Sequence, residues 1–280
     1  MMNYFSYHTH TQYCDGKSTA EELVLRAIEL GLTAIGFSSH APLPKKESWS
    51  MSMDMLEDYI AEVQELKQKY KSQIEVYVSL EIDYIPGVTR SFDEFKRESN
   101  LDYTIGSVHL VKAKYESEFW FLDGPDTNYI HGIEVLFDGD VKKAVSAYYN
   151  QVIDLIKTQK PDVIAHVDKV KMNNKGRYFS EDEKWYVALL DKTIEVIKTS
   201  GTIVEVNTRG IYKKKSGSFF PDSYFLKECE KRAIPVTVSC DAHHADELVS
   251  GFDSAIGLLK GIGFESVRVF ADGNWRDQSL

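Results

Sequence analysis

Phe5-Ser6-Tyr7-His8-Thr9-His10, running on through Thr11-Gln12-Tyr13-Cys14-Asp15-Gly16, is the stretch that decides the architecture. Residues i and i+2 on a β-strand point to the same face, roughly 6.6 Å apart, so His8 and His10 can reach one ion from one side. Asp15 follows in the loop, where a third ligand can approach. A lone His-x-His is weak evidence, so its meaning depends on what the rest of the chain places beside it.

Six later segments read as strands, each ending on a residue able to hold a metal or a phosphate. Ser18-Thr19-Ala20-Glu21 has a capping-box pattern and opens a helix that Gly31 stops. Strand two is Ala34 to His40, followed by a Pro-containing loop and a helix from about Asp54 to Tyr70. Strand three is Ile74 to Glu81. A short helix from Ser91 to Arg97, capped by Ser91 with Glu94, leads to strand four, Tyr103 to His109. Leu110 to Asp140 is an aromatic-rich insertion, and loops of that length are more often functional covers than plain connectors. A helix from about Val141 to Thr158 precedes strand five, Asp162 to His166. The polar loop Lys169 to Phe179 ends at Ser180, whose Glu183 marks a helix closed by Gly201. Strand six is Thr202 to Asn207 and strand seven is Pro235 to Asp241, with a helix from Pro221 to about Arg232 between them. A helix from about Asp246 to Leu259 and an apolar run, Val267 to Phe270, complete the chain.

Strand and helix alternate without a linker, which predicts one domain over residues 1–280. Parallel strands need such crossovers, and closing them into a barrel leaves every strand C-terminus on one face. The fold class read from the pattern is α/β, a TIM-like (β/α) barrel of seven strands with its site on that face.

At 280 residues and 43% hydrophobic content, one large core is affordable in size. The 33 basic residues stand against 43 acidic ones, a net charge of -10, which argues against a general nucleic-acid binder. Cys14, Cys229 and Cys240 are scattered and lack CxxC spacing, so neither a disulfide framework nor a thiolate zinc site is indicated, and a reducing cytoplasm is the natural reading. No apolar run approaches the roughly 18 residues of a membrane span, and no leader precedes the His-x-His.

The strand exits carry His8 with His10, His40, Glu81, His109, His166, Asn207, and Asp241 with His243. Two positions earlier on the same face stand Ser6, Ser38, Ser79, Ser107, Ile164, Glu205 and Ser239, predicting a small polar layer beneath the site. Imidazoles and carboxylates without thiolates suit divalent Zn, Fe or Mn, and Glu81 is placed to bridge two ions. Paired metals clamp the attacking and leaving oxygens of a displacement at phosphorus, so hydrolysis of a phosphorylated small molecule is the expected chemistry. Arg209 is the leading phosphate ligand, with Arg177, Lys171 and Lys169 behind it and Asn207 as a substrate-side candidate. Trp49, Trp120 and Phe121 are placed to cover a substrate ring or simply to anchor their loops. His131 and His244 fall outside the constellation.

With these residues in hand, the chain resembles the polymerase and histidinol phosphatase (PHP) family, metal-dependent phosphoesterases on a distorted seven-stranded β/α barrel. His8-Thr9-His10-Thr11, Ser39-His40, Ser79-Leu80-Glu81, Gly106-Ser107-Val108-His109, Ala165-His166 and Asp241-Ala242-His243 carry the resemblance across nearly the whole chain. Phe37-Ser38-Ser39-His40-Ala41-Pro42-Leu43-Pro44 is similar to the branch that releases phosphate from L-histidinol phosphate in histidine synthesis. The resemblance implies two to three divalent metal ions. A first would take His8, His10, Glu81 and Asp241, a second would share Glu81 and add His109 and His166, and a third would take Asp15, His40 and His243. Several relatives carry histidine where Asp15 stands. The resemblance further implies attack by a metal-bridging hydroxide, with Asp241 or His243 protonating the leaving alkoxide; the residues themselves add Arg209 as the third catalytic candidate. Two other readings stay open at this point: a PHP phosphoesterase acting on nucleotides or nucleic-acid ends, and a metal-binding barrel without turnover. The residues do not indicate an oligomeric state.

Overall fold

The computed structural model describes residues 5–45, 47–113 and 118–280; residues 1–4, 46 and 114–117, the last inside the expected insertion, lie outside the described residues. Strands β1 (Phe5–Ser6), β2 (Ala34–Phe37) and β3 (Glu75–Val78) form one parallel ladder. A second parallel ladder holds β4 (Glu81–Asp83) and β5 (Ile105–Ser107), with further members β8 (Val163–Ile164), β9 (Ile203–Asn207) and β10 (Val236–Ser239), set after the hairpin β6 (Leu110–Lys112) and β7 (Phe119–Phe121).

The two ladders meet twice. β3 and β4 are halves of one run broken at Ser79 and Leu80, where Ser79 still donates to Phe37 on one side and Ile105 donates to the Leu80 carbonyl on the other. At the opposite edge Thr9 bridges Ala242 in parallel, with the His10 N–H donating to the Ala242 carbonyl at 2.8 Å and the Ala242 N–H to the His8 carbonyl at 3.1 Å. Those bonds join β1 to β10 and complete a ring of seven strands. The strands are short and buried on both faces, as in a parallel sheet covered by helices.

The crossover helices follow from local chemistry. The first, Ala20–Glu29, is capped by Thr19 with a reciprocal bond from Glu22, one position later than the Ser18/Glu21 pairing read from the sequence. Its Leu23, Val24 and Ala27 face the core. The helix Phe92–Glu98 begins at Ser91 with Glu94 closing the box, and Lys184–Ser200 ends at Gly201 in left-handed backbone. The last helix starts at Phe252, after Gly251 at φ 80°, so Asp246 falls in a separate short turn at Ala245–Glu247.

Two regions depart from the linear reading. The described part of the insertion pairs β6 antiparallel with β7, followed by the helix Asp126–His131 and a wide turn at Gly132–Leu136. The apolar run near the end is β11 (Ser266–Ala271), paired antiparallel with a polar strand β12 (Asn274–Ser279) through a turn at Asp272-Gly273. This hairpin packs Phe270 and Trp275 against Tyr77 and Tyr103, and Phe270 offers its carbonyl to the Tyr7 hydroxyl at 2.7 Å. Among the described residues no helix is long and apolar enough to cross a membrane.

Candidate metal centre

Every strand of the ring ends at one cup, and the structure brings the nine expected metal ligands together there. Glu81, at the start of β4, is its middle. One oxygen, Oε2, lies 3.2 Å from His8 Nε2, 3.4 Å from His10 Nε2 and 3.0 Å from His40 Nδ1. The other, Oε1, lies 3.0 Å from His166 Nε2 and 3.8 Å from His109 Nε2. Asp241 Oδ1 sits 3.3 Å from both His10 Nε2 and His243 Nδ1, while Asp15 approaches His243 Nε2 at 3.2 Å and His40 Nε2 at 3.8 Å.

The distances define overlapping sets: His8, His10 and Glu81; His40, Glu81 and His109; and His10, Asp15, His40 and His243. Within each set one donor atom per residue lies within 4.8 Å of the others. The resemblance puts His40 with Asp15 and His243 alone, yet its two nitrogens face opposite ways and it belongs equally beside Glu81.

The donors fit divalent cations by a direct criterion. His8 Nε2, His10 Nε2, His40 Nδ1, Asp15 Oδ1 and Asp241 Oδ1 are buried without a hydrogen-bond partner, although imidazole and carboxylate face each other at 3 to 4 Å. Buried polar atoms are nearly always paired, so lone pairs aimed at a common point call for a positive ion between them. Charge states agree. Burial would raise the Glu81 carboxyl, but the imidazoles of His40, His8 and His109 hold it well below the usual carboxylate range. Burial depresses His10 well below an ordinary histidine and His40 to about 4, so both rings keep the free lone pair that a metal needs.

Supporting residues orient this set. Glu205 Oε1 bonds the far nitrogen, Nδ1, of His8 and accepts the Ser239 hydroxyl at 2.5 Å, while its Oε2 accepts the His166 N–H at 2.8 Å. His166 and Asp241 both adopt left-handed backbone, at φ 27° and 52°, a conformation costing on the order of 1–3 kcal/mol unless neighbours hold it. Glu205 does so for His166. Arg209 does so for Asp241, donating from Nη1 to its carbonyl at 2.6 Å. The five serines of the predicted layer are all buried; Ser38 accepts the Thr9 N–H at 3.1 Å, and the Ser107 hydroxyl is 3.4 Å from His109 Nδ1.

The substrate-side expectations divide. Arg209 lines the cleft above the cup, a space of about 270 Å³. Tyr212, at 3.1 Å, and Glu247, at 3.4 Å, also meet its Nη1. Lys171 must be corrected: it is buried away from the cleft, bonded to Asp168 at 2.8 Å, Glu181 at 3.0 Å and Asp222 at 2.5 Å, which uses its three donors. Arg177 must be corrected too, because it caps the Asn173 carbonyl and pairs with Asp126 outside the cleft. Asn207 spends its amide on Glu205 and Asp241 and its oxygen on the Arg209 N–H, so it braces the cup and does not face substrate. Of the three candidate cations in the loop before strand six, Lys169 does enter the cleft, 3.1 Å from His109 Nε2 and 2.8 Å from Asp123. Trp49 and Phe121 stand nearly parallel over the cleft, 9° apart, whereas Trp120 is a core residue bonded to the Tyr129 carbonyl. Asp123, absent from the sequence reading, lines the cleft between Lys169 and Lys215; an Asp-Gly pair in a long insertion signals only a turn. His131 is exposed and His244 pairs with Asp246, both apart from the cup.

The PHP domain model matches residues 6–209. The histidinol-phosphatase of Bacillus subtilis is 27% identical over 265 residues, covering 88% of this chain and 96% of the relative. A Deinococcus radiodurans protein named "Probable histidinol-phosphatase" is 27% identical over 263 residues, covering 93% and 94%. Among solved structures, histidinol phosphate phosphatase from Lactococcus lactis, in complex with zinc, L-histidinol and phosphate, superposes with a TM-score of 0.69 at 21% identity, covering 99% of this chain and all of that one.

Proposed function

Because the chain belongs to the PHP family, we propose that it is a metal-dependent phosphomonoesterase that hydrolyses L-histidinol phosphate to L-histidinol and phosphate, a step of histidine synthesis in the cytoplasm. The observation that carries the reading is the buried convergence of unpaired imidazole and carboxylate atoms on Glu81 at the floor of a cleft of small-molecule size. The relatives named for this activity match over nearly their whole lengths. All 280 residues are taken as one barrel domain. Its small-molecule substrate fits the acidic balance better than nucleic acid does.

In this reading His8, His10, Asp15, His40, Glu81, His109, His166, Asp241 and His243 hold two to three divalent ions of Zn, Fe or Mn. Such ions supply Lewis acidity at the phosphoryl oxygens and an activated water. Arg209 and Lys169 orient the phosphate and offset its charge from the cleft walls, where partial burial strengthens each contact. Trp49 and Phe121 offer apolar faces to the imidazole. Asp241 and His243 both line the cleft, within reach of a leaving oxygen, and either can pass it a proton.

The test is a steady-state comparison of histidinol phosphate with nucleoside monophosphates and a short 3'-phosphorylated oligonucleotide. The highest kcat/KM is expected for histidinol phosphate. A preference for a nucleotide or an oligonucleotide end moves the function to another branch of the family, and tightly held metal without any turnover leaves a binding barrel.

A further inference from the structure

Four carboxylates line the cleft, and three of them, Asp15, Glu81 and Asp241, crowd the imidazoles of the cup. Asp123 stands apart on the loop after β7. Its Oδ2 is 2.8 Å from Lys169 Nζ, and its Oδ1 is 3.2 Å from Lys215 Nζ and accepts the Gly124 N–H at 2.8 Å. Lys169 Nζ in turn is 3.1 Å from His109 Nε2, so that one ammonium links the Asp123 carboxylate to an imidazole of the cup. The side chain of Asp123 is three-quarters buried and that of Lys169 almost wholly so.

An incoming phosphate changes this balance. Lys169 and Lys215 are cations at the mouth of the cup, and a phosphate dianion competes with Asp123 for both. A carboxylate left partly buried without its cations is costly, typically by several times the net worth of the pair it lost. A substrate that brings its own cation removes that cost, provided the cation lies next to the phosphate.

We infer that Asp123 is a specificity-determining residue: it receives an ammonium carried two carbons from the phosphate, in exchange for the lysines that turn to the phosphate. The class of ligand selected is a phosphate monoester of an amino alcohol. Resting on the phosphomonoesterase reading above, the assignment explains how the site distinguishes such an ester from a plain alkyl phosphate, since both present the same group to the metals. The exchange conserves ion pairs on both sides, so the preference appears as affinity for the zwitterion and not as a change in the chemistry at phosphorus.

Two substrate pairs test it on the metal-loaded full chain: histidinol phosphate against 3-(imidazol-4-yl)propyl phosphate, and 2-aminoethyl phosphate against ethyl phosphate. The wild type is expected to favour the amine-bearing member of each pair by about tenfold or more in kcat/KM, mostly through KM. Asp123→Asn should collapse that ratio toward one while metal content stays at the wild-type value, and Asp123→Glu should restore part of it. A wild-type ratio near one overturns the assignment whatever the variants do. So does an Asp123→Asn enzyme in which both members fall in parallel, which marks a loop brace. Turnover of histidinol phosphate with no amine preference keeps the proposed function and removes Asp123. A collapsing ratio on the aminoethyl pair, with histidinol phosphate refused, keeps Asp123 and removes the proposed substrate. Hydrolysis of neither pair removes both.

Discussion

Glu205 bonds the ring nitrogen of His8 that faces away from the cup, while its second oxygen holds the backbone N–H of His166. One fully buried carboxylate on β9 thus fixes ligand candidates from β1 and β8, holding the proton on His8 Nδ1 so that Nε2 is the nitrogen left to meet a cation. Burial alone would favour the neutral ring, yet in the metal-free chain Glu205, Glu81 and Asp241 hold its pKa well above the ordinary histidine value, so a cation binding at Nε2 displaces a proton.

Replacing that carboxylate should show in metal affinity before it shows in fold. Glu205→Gln is expected to weaken binding of the first-released metal by about 10- to 100-fold. Competition with a chromophoric chelator measures it. Unchanged affinity would reduce Glu205 to a packing role.

Lys169 and Lys171 are two residues apart and should fail differently. Lys171→Ala leaves Asp168 and Asp222 without their shared cation, and loss of one partner from a buried ion pair costs about 3–5 kcal/mol. Burial already pushes Asp168 up to about 6 with the lysine present. The denaturation midpoint should therefore fall sharply. Lys169→Ala, which leaves Asp123 its second cation Lys215, should lower the midpoint less than Lys171→Ala does and should raise KM for the phosphate ester and the inhibition constant for free phosphate. The reverse pattern would mean that the two lysines have been assigned each other's work.

Arg209 supports Asp241 as well as facing the cleft, so its truncation should act twice. Arg209→Ala is expected to weaken phosphate inhibition by about tenfold or more, in keeping with loss of a charge-assisted contact. It should also speed loss of metal, because the left-handed backbone at Asp241 loses its anchor. Phosphate inhibition equal to wild type would dismiss Arg209 as a ligand.

The metal-free protein should be acid-labile over a defined window. His40, lowered by burial to about 4, and His10, also lowered, stay neutral in the folded chain, while both take up protons below about 6.5 once unfolded. Between those values the unfolded state binds more protons, so stability falls as pH falls, by up to about 1.4 kcal/mol per pH unit for each such ring. His8 does not offset this, because the stability from its raised pKa is already complete below 6.5 and is lost only as pH rises. Denaturation midpoints of the chelator-treated protein should drop from pH 7 to pH 5. A level or rising midpoint contradicts the burial of free imidazoles.

The cup was readable from the chain because strand exits in a parallel barrel share one face, so His40, Glu81, His109, His166 and Asp241 needed only their strand assignments to be placed together. The crossover helices were readable for the same local reasons that form them, down to Ser91 and Gly201. What failed was long-range. Lys169 and Lys171 differ by a single turn of the loop, and only the partners Asp168 and Asp222 decide which one enters the cleft. Asp123 gains its meaning from Lys169 and Lys215, far away in sequence. β12 escaped the linear reading because, Trp275 apart, its residues are polar and mostly exposed, although Asp272-Gly273, both at positive φ, is a strong hairpin signal.

The most direct measurement returns metal to the chelator-stripped protein while phosphate release from histidinol phosphate is followed. The account predicts no turnover without metal, recovery with added Zn, Fe or Mn, and saturation at two to three equivalents per chain. Turnover in the stripped protein, or full reloading at this stoichiometry without hydrolysis, would contradict it.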